Sequence, residues 1–483
     1  MPPTSEIGGA MRMPTTDRVP FSAPMLLAVV ALAACGSTSP SDTASEDGGL
    51  TLGTLSDSGT MGGTDSNGTD SNSNADDSNA DGTGSNASDT ADSTTDDAPK
   101  FDLGGAPDVP GGCGAGGDVE VDESFIWVPG TSDGTVAKID TRTMLEVARY
   151  TIGPSGGVES ASRTAVSGDG RFVVVNSRGT GRSTAVAANI ADCVDKNADG
   201  MITTSQNATD ILAWDTDECV VWTTVHADWG GAATAGPRGI TWTIGDWNEA
   251  TCSFIEQKVW LGYLAAAGNA HLVRLDGTTG MLEEDLIVPG WVGSGYAPYG
   301  GALDPQDRPW FTGLRGELVR VNTDNDPIDV TRITQPGNIQ SYGMTVDPNG
   351  NPWMAGCSGP VSTYDVPTAA WVSIPDTSAC YRGMAVDQDF HVWVASNGPC
   401  ELLEIDGATR TLVARHALAQ CSTPIGVSVD VDGFVWLVDQ AGWAWKIDPD
   451  NVAAMQQITI SGDHYVYSDM TGGQLKSVTN PPG

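Results

Sequence analysis

One phrase recurs four times in the C-terminal half of this chain at nearly fixed spacing: Gly, three residues, Asp, five residues, Trp. The copies are YGGALDPQDRPW (Gly300, Asp304, Trp310), YGMTVDPNGNPW (Gly343, Asp347, Trp353), RGMAVDQDFHVW (Gly383, Asp387, Trp393) and IGVSVDVDGFVW (Gly426, Asp430, Trp436). Asp and Trp are six residues apart in every copy, and successive copies lie 43, 40 and 43 residues apart. A period of this length, made of short apolar runs between Gly, Pro and Asp turns, marks a β-propeller with one four-stranded blade per repeat.

A second marker follows each Trp by 12 or 13 residues, at Asn322, Asp365, Asp406 and Asp448. The same kind of phrase at Asp140 and Asp276 extends the ring back to blades near 124–153 and 236–290. Between them, SRTAVSGDGRFVVVNS (162–177) fits the first two strands of another blade, with Ser167 in the Asp position. The blade near Trp127 has no innermost strand ahead of it. At the other end, HYVYSDMTGGQLKSV (464–478) looks like the opening of a blade, with Gly472 one period beyond Asp430. The expected fold is therefore all-β: a seven-bladed β-propeller over residues 113–483, closed by pairing of N- and C-terminal strands, which removes exposed sheet edges. Runs such as VWVAS and FVWLVD show little polar alternation, as expected for blades buried on both faces. The motif Asp is expected to cap an Asx turn, and the Trp to pack between blades.

The N-terminal part reads differently. Arg12 and Arg18 precede an apolar run from Met25 to Ala34, too short to span a bilayer, so residues 1–34 read as a signal peptide. The run Leu32-Ala33-Ala34-Cys35, followed by Gly36, resembles a bacterial lipobox. That resemblance implies lipidation of Cys35 and an exported cell-envelope lipoprotein, and Gly rather than Asp at position 36 favours the outer membrane or cell surface. Residues 35–112 are low in complexity, with 15 acidic residues and one Lys between 36 and 112. Such a composition cannot bury enough apolar surface to offset its ordering entropy and reads as a disordered tether. The net charge of −39 includes 20 basic against 45 acidic residues in 113–483. That field repels nucleic acid and anionic lipid, leaving the lipid anchor as the membrane partner.

With Cys35 set aside, eight cysteines remain, an even number suited to an oxidising compartment. Cys357 and Cys400 fall in loops leaving the Trp strand, and Cys380 and Cys421 in loops entering the next blade. Cys357–Cys380 and Cys400–Cys421 are thus expected as equivalent staples. Cys193–Cys219 would close an insertion, and Cys113–Cys252 is left by elimination.

That insertion carries DKNADGMITTSQ (195–206), which matches a calcium loop of the EF-hand and dockerin class. Asp195, Asn197 and Asp199 take positions one, three and five, Met201 offers its carbonyl, and Thr203 and Gln206 complete the set. Gln206 stands where EF-hands place a bidentate Glu, which predicts a weaker, structural Ca²⁺ site. It lies opposite the face that propellers use for ligands.

On the ligand face, the residue before each motif Gly forms a series: Arg238, Tyr299, Tyr342, Arg382, Ile425 and Tyr467, with Arg163 one place off register. Arg178, Arg182 and Arg315 fall in neighbouring loops. Guanidinium groups among aromatic rings suit a carboxylate-bearing, glycan or peptide ligand; the bland alternative is that these Arg pair with surrounding acids. His226, His271 and His464 also fall near this face and admit an acid/base site.

The phrases GMTVDPNGNPWMAG and GVSVDVDGFVWLVD resemble repeats of the NHL and streptogramin lyase (virginiamycin B lyase-like) propellers. The resemblance implies the fold. Those lyases act with His, Glu and Mg²⁺ on the same face, and no His here can be matched to their positions. Two functions stay open: a lipid-anchored, calcium-stabilised binding propeller, or a metal-assisted lyase or hydrolase acting on a cyclic ester or lactone.

Overall fold

A computed structural model describes residues 124–248 and 253–474. The expected signal peptide, Cys35, the expected tether and the expected Cys113–Cys252 pairing all lie outside the described residues. Within them the chain is a seven-bladed β-propeller of antiparallel sheets, each strand pairing with the next along the sequence except in the third blade, where a separate two-stranded hairpin, Asp246–Asn248 with Ser253–Ile255, intervenes between Ile240–Trp242 and its partner Lys258–Leu264. Six blades have four strands, and their innermost strands are Ala161–Val166, Ile240–Trp242, Gly300–Leu303, Gly343–Val346, Cys380–Val386 and Pro424–Val429. The first blade contributes Phe125–Gly130, Thr135–Asp140 and Leu145–Thr151, and lacks an inner strand of its own.

Residues 463–474 supply the missing piece. The Trp127 N–H donates to the Met470 carbonyl (2.9 Å) and the Thr131 N–H to the Asp463 carbonyl (2.7 Å). The same segment is tied to both flanking blades: Thr164 Oγ1 donates to the Asp469 carbonyl (2.9 Å), and the Met470 N–H donates to Ser428 Oγ (2.9 Å). The Gln474 amide then reaches the Leu303 carbonyl of the fourth blade at 2.9 Å. Closure therefore occurs where the sequence placed it, with Gly472 in the position of the motif Asp.

The repeated phrase has a tighter logic than an Asx cap and a packed ring acting separately. In each of the four copies one carboxylate serves both. Its Oδ2 accepts the indole N–H of the Trp six residues on, at 2.9, 2.9, 2.6 and 2.8 Å for Trp310, Trp353, Trp393 and Trp436. Its Oδ1 accepts backbone N–H groups of the intervening turn, such as those of Asn349 and Asn351 on Asp347. Six residues is the separation that lets a strand, a turn and the next strand bring these groups together. Burial raises the carboxyl pKa of Asp347, Asp387 and Asp430, while the indole and backbone N–H donors pull it back.

The motif Gly is a matter of space. A Cβ on Gly343 would lie 2.2 Å from the Arg382 carbonyl oxygen, and one on Gly383 2.5 Å from that of Ile425. These glycines let neighbouring inner strands converge on the axis. Seven indoles, among them Trp127, Trp260 and Trp436, are fully buried, mostly in clusters that join the facing sides of adjacent blades. At the base of the channel, beneath the inner strands, a small cavity of about 20 Å³ is lined by Thr241, Thr345, Ser428, Asp469 and Gln474 among others.

Candidate ligand mouth of the channel

The leading residues of the inner strands gather at the opposite end of the channel. Arg163, Arg238, Tyr299 and Tyr467 are buried there, and Tyr342 and Arg382 are half-buried at the rim. The rings pack on one another: Tyr299 lies 5.7 Å from Tyr342 and 6.4 Å from Tyr467, and Tyr342 stacks on Tyr467 at 5.7 Å. Ile425, the one aliphatic member of the series, is fully buried in the same apolar cluster as Tyr342 and Tyr467.

The guanidinium groups lie over these rings. Arg163 is 4.9 Å from the Tyr299 centroid and 4.3 Å from that of Tyr467. Arg238 is 5.1 Å from Tyr299, and Arg382 is 4.4 Å from Tyr342. Cation–π attraction of this kind strengthens as water is excluded. The Arg163 Nε–H reaches the Tyr299 carbonyl at 3.4 Å, while its Nη1 and Nη2 have no hydrogen-bond partner among the described residues. Burial lowers the Arg163 pKa from its ordinary value, and the tyrosines around it partly offset that.

Two further tyrosines belong to the mouth and were not singled out in the sequence. Tyr465 shares a hydroxyl–hydroxyl hydrogen bond with Tyr299, packs edge-on against Tyr467 at 4.8 Å, and receives Arg178 over its ring at 4.3 Å. Tyr296 lies 5.7 Å from Tyr299 and 5.3 Å from Arg238. The signal for Tyr465 was the alternation in HYVYSD, since residues two apart in extended chain face the same side. Arg182 and Arg315 do not join the group. Arg182 approaches Glu159 at 3.7 Å, and Arg315 turns to Ser358 and the Gly337 carbonyl. Pairing with surrounding acids thus describes Arg182, while Arg163 keeps company with tyrosines.

The three histidines do not converge. His226 and His271 sandwich Tyr263 at 4.8 and 5.1 Å, at the seam between the second and third blades. His226 Nε2 contacts Ser183 Oγ at 3.1 Å, and His271 Nδ1 contacts Asp285 at 2.8 Å. Burial lowers His226 to a pKa of about 4. His464 is fully buried beside the first blade, with its ring nitrogens 2.8 Å from the Pro129 carbonyl and 3.4 Å from that of Ile460.

On the far face, the 195–206 loop closes on itself. Asp195 Oδ2 accepts the Gly200 N–H at 2.9 Å, Asn197 Oδ1 that of Asp199 at 2.8 Å, and Asp199 Oδ1 that of Met201 at 2.9 Å. Gly200 sits at φ +83°, the left-handed region a tight turn requires. Asp195 Oδ1 is buried without a hydrogen-bond partner among the described residues, which fits a donor set able to take a cation. Gln206 points elsewhere and donates to the Thr204 carbonyl. Instead Glu218, unforeseen in the sequence, holds the loop by accepting the N–H groups of Lys196, Asn197 and Thr203. Among the described residues no three His, Cys, Asp or Glu side chains gather as metal ligands. Disulfides join Cys193 to Cys219, Cys357 to Cys380 and Cys400 to Cys421.

No protein-family model and no curated protein matches this chain. Among solved structures it is similar to virginiamycin B lyase from Staphylococcus aureus, at 14% identity over 62% of this chain and 84% of that one, TM-score 0.43. It is similar also to a streptogramin B lyase (16% identity, 65% and 87% covered, TM-score 0.45) and to AztD from Citrobacter koseri (11%, 72% and 97%, TM-score 0.44). At such identities the likeness is one of fold.

Proposed function

We propose that this chain is an exported, lipid-anchored cell-envelope propeller that binds a protein, peptide or glycan ligand at its mouth, with a structural Ca²⁺ in the 195–206 loop. One observation carries the binding reading: the buried Arg163 fork, whose two terminal nitrogens lie among aromatic rings with no hydrogen-bond partner among the described residues. A purely structural role gives no reason to bury an unpaired guanidinium, which is costly. The ligand would meet Arg382 and Tyr342 at the rim first, then Arg163, Arg238, Tyr299 and Tyr467. A metal-assisted lyase or hydrolase is the other reading. It would draw on His226, His271 or His464, and the spread of those rings favours binding over it.

The test is titration with a panel of peptides and oligosaccharides, followed by tyrosine fluorescence. Arg382→Ala and Tyr342→Ala should weaken any bound member at least tenfold; unchanged affinity in both variants sinks the mouth as the site. In the Ca²⁺ loop, Asp195, Asn197, Asp199 and the Met201 carbonyl would be ligands, with Thr203 and Gln206 in the remaining positions. Chelation should lower the melting temperature without abolishing the ring, and Asp195→Asn should remove that response. For the anchor, Cys35→Ser should move the protein from the detergent phase to the aqueous phase.

A further inference from the structure

The side chain of Arg163 is aimed by an irregularity in its own strand. Ala161 pairs with Ser177 and Arg163 with Asn176, so Ser162 is the extra residue of a β-bulge, a device that re-aims the side chains beside it. Arg163 then lies among rings from two distant parts of the chain, 4.9 Å from the Tyr299 centroid, 4.3 Å from that of Tyr467 and 5.7 Å from that of Tyr465. It is 1% exposed, and its Nη1 and Nη2 have no hydrogen-bond partner among the described residues. Arg382 stands at the same ring: its Nη1 donates to the Tyr467 hydroxyl at 3.4 Å, and its Nε is buried without a partner among the described residues. Neither guanidinium makes an ion pair with a carboxylate of the described residues; tyrosines bear on both, and Arg238 on Arg163.

Arginine cannot shed its proton, and a buried charge without an acceptor is costly, so a fork held in this way is matched to an anion. Nη1 and Nη2 are the donor pair that a carboxylate takes with both oxygens at once. We propose that the Arg163 fork seats one carboxylate, and that the ligand of this mouth is a peptide taken by its free C-terminus. The proposal rests on the mouth being the binding site and names which end of which ligand it takes.

Position selects a chain end. The fork lies behind Tyr342 and Arg382, which are half-buried at the rim, so the group that reaches it enters head first. Chemistry selects peptide over sugar. The phenol hydroxyls that a sugar would need are engaged already, those of Tyr299 and Tyr465 with each other and that of Tyr467 with Arg382. The rings leave an apolar wall around the cation, which fits a terminal residue's side chain beside its carboxylate. Charge selects a monoanion: 45 acidic against 20 basic residues in 113–483 repel a phosphate dianion or an acidic polysaccharide.

The test compares acetyl-Ala-Phe with its C-terminal amide, read by tyrosine fluorescence and melting temperature of the full chain. The acid should bind in a saturable way and the amide about tenfold or more weakly, the loss expected when a charge-assisted, two-point pair is removed. This comparison uses the unaltered protein, so the folding of a variant does not enter. Arg163→Lys keeps the charge without the fork and should narrow the difference between acid and amide. Acetyl-Ala-Glu-Ala amide, whose carboxylate is mid-chain, and glucuronate should bind no better than the amide, and sodium chloride should not displace the acid. Equal binding of acid and amide overturns the carboxylate seat; if that binding is still lost in Tyr342→Ala, the mouth stands without it. A preference for glucuronate or the mid-chain carboxylate sinks the peptide terminus, and displacement by chloride makes the fork a seat for any small anion and removes the ligand class. No saturable binding of the acid also defeats the proposal, while the wider panel decides the mouth by itself.

Discussion

Blades four to seven and blades one to three solve the same packing problem with different residues. In the former, an Asp joins the turn to a buried indole four times over. In the latter, the Asp position holds Gly472, Ser167 and Thr243. Ser167 still accepts the Phe172 N–H (3.1 Å), and Gly170 keeps the left-handed turn at φ +73°. Thr243 accepts the Lys258 N–H at 2.9 Å, but residues 244–257 replace the short turn, and the equivalent indole, Trp260, has no partner for its N–H among the described residues. The ring therefore does not need the Asp–Trp bond in every blade. The irregular part carries the insertions, the His226–Tyr263–His271 stack, Arg163 and Arg238, while the regular part supplies uniform walls.

The comparison can be broken most forcefully at an indole. Trp436→Ala in the regular part should cost about 3–5 kcal/mol, as for other large-to-small changes in packed cores, measured by denaturant unfolding. A cost near zero would remove the claim that these indoles bind blade to blade. The next largest effect belongs to the irregular part. Burial holds His226 at about 4 against 6.5, so the folded chain resists protonation there. Its contribution is present above about pH 6.5 and is lost as pH falls toward 4, on the order of 3 kcal/mol in all. His226→Gln should flatten that slope of stability against pH.

Of similar size is the staple between blades six and seven. Replacing Cys400 and Cys421 together by Ala releases a loop with a sequence separation of 21. The expected loss is about 3 kcal/mol, read as a lower denaturation midpoint under oxidising conditions only. The smallest effect is the most discriminating. Trp436→Phe strands the buried Asp430 carboxylate, whereas Trp260→Phe removes an N–H already unpartnered. The first should exceed the second by about 1–3 kcal/mol; equal costs would mean the Asp–Trp bond contributes nothing beyond packing.

These contrasts also mark what could be read from residues alone. The Asp-to-Trp spacing located four blades because both residues are fixed by one turn, and Gly472 located the closing segment because the period survives where the chemistry does not. The series from Arg238 to Tyr467 was legible since each member leads an inner strand and so must reach the mouth. Tyr465 was missed because the series took one residue per inner strand, and Tyr465 stands two places before the one taken, Tyr467. Glu218 was missed because it reaches the 195–206 loop from the far end of the same insertion, next to Cys219, a contact that no local spacing records. The reason for the motif Gly was equally hidden, since it lies in the backbone of the next blade.

The pairing of residues 463–474 with the strand around Trp127 has a consequence for how the molecule comes into being. The earliest blade stays a sheet short of its core strand until residues 463–474 have emerged from the ribosome. The channel base is sealed only when Gln474 has been made. Until then the nascent molecule is an open arc with two raw ends, so the step that completes it joins partners more than 330 positions apart and must come late.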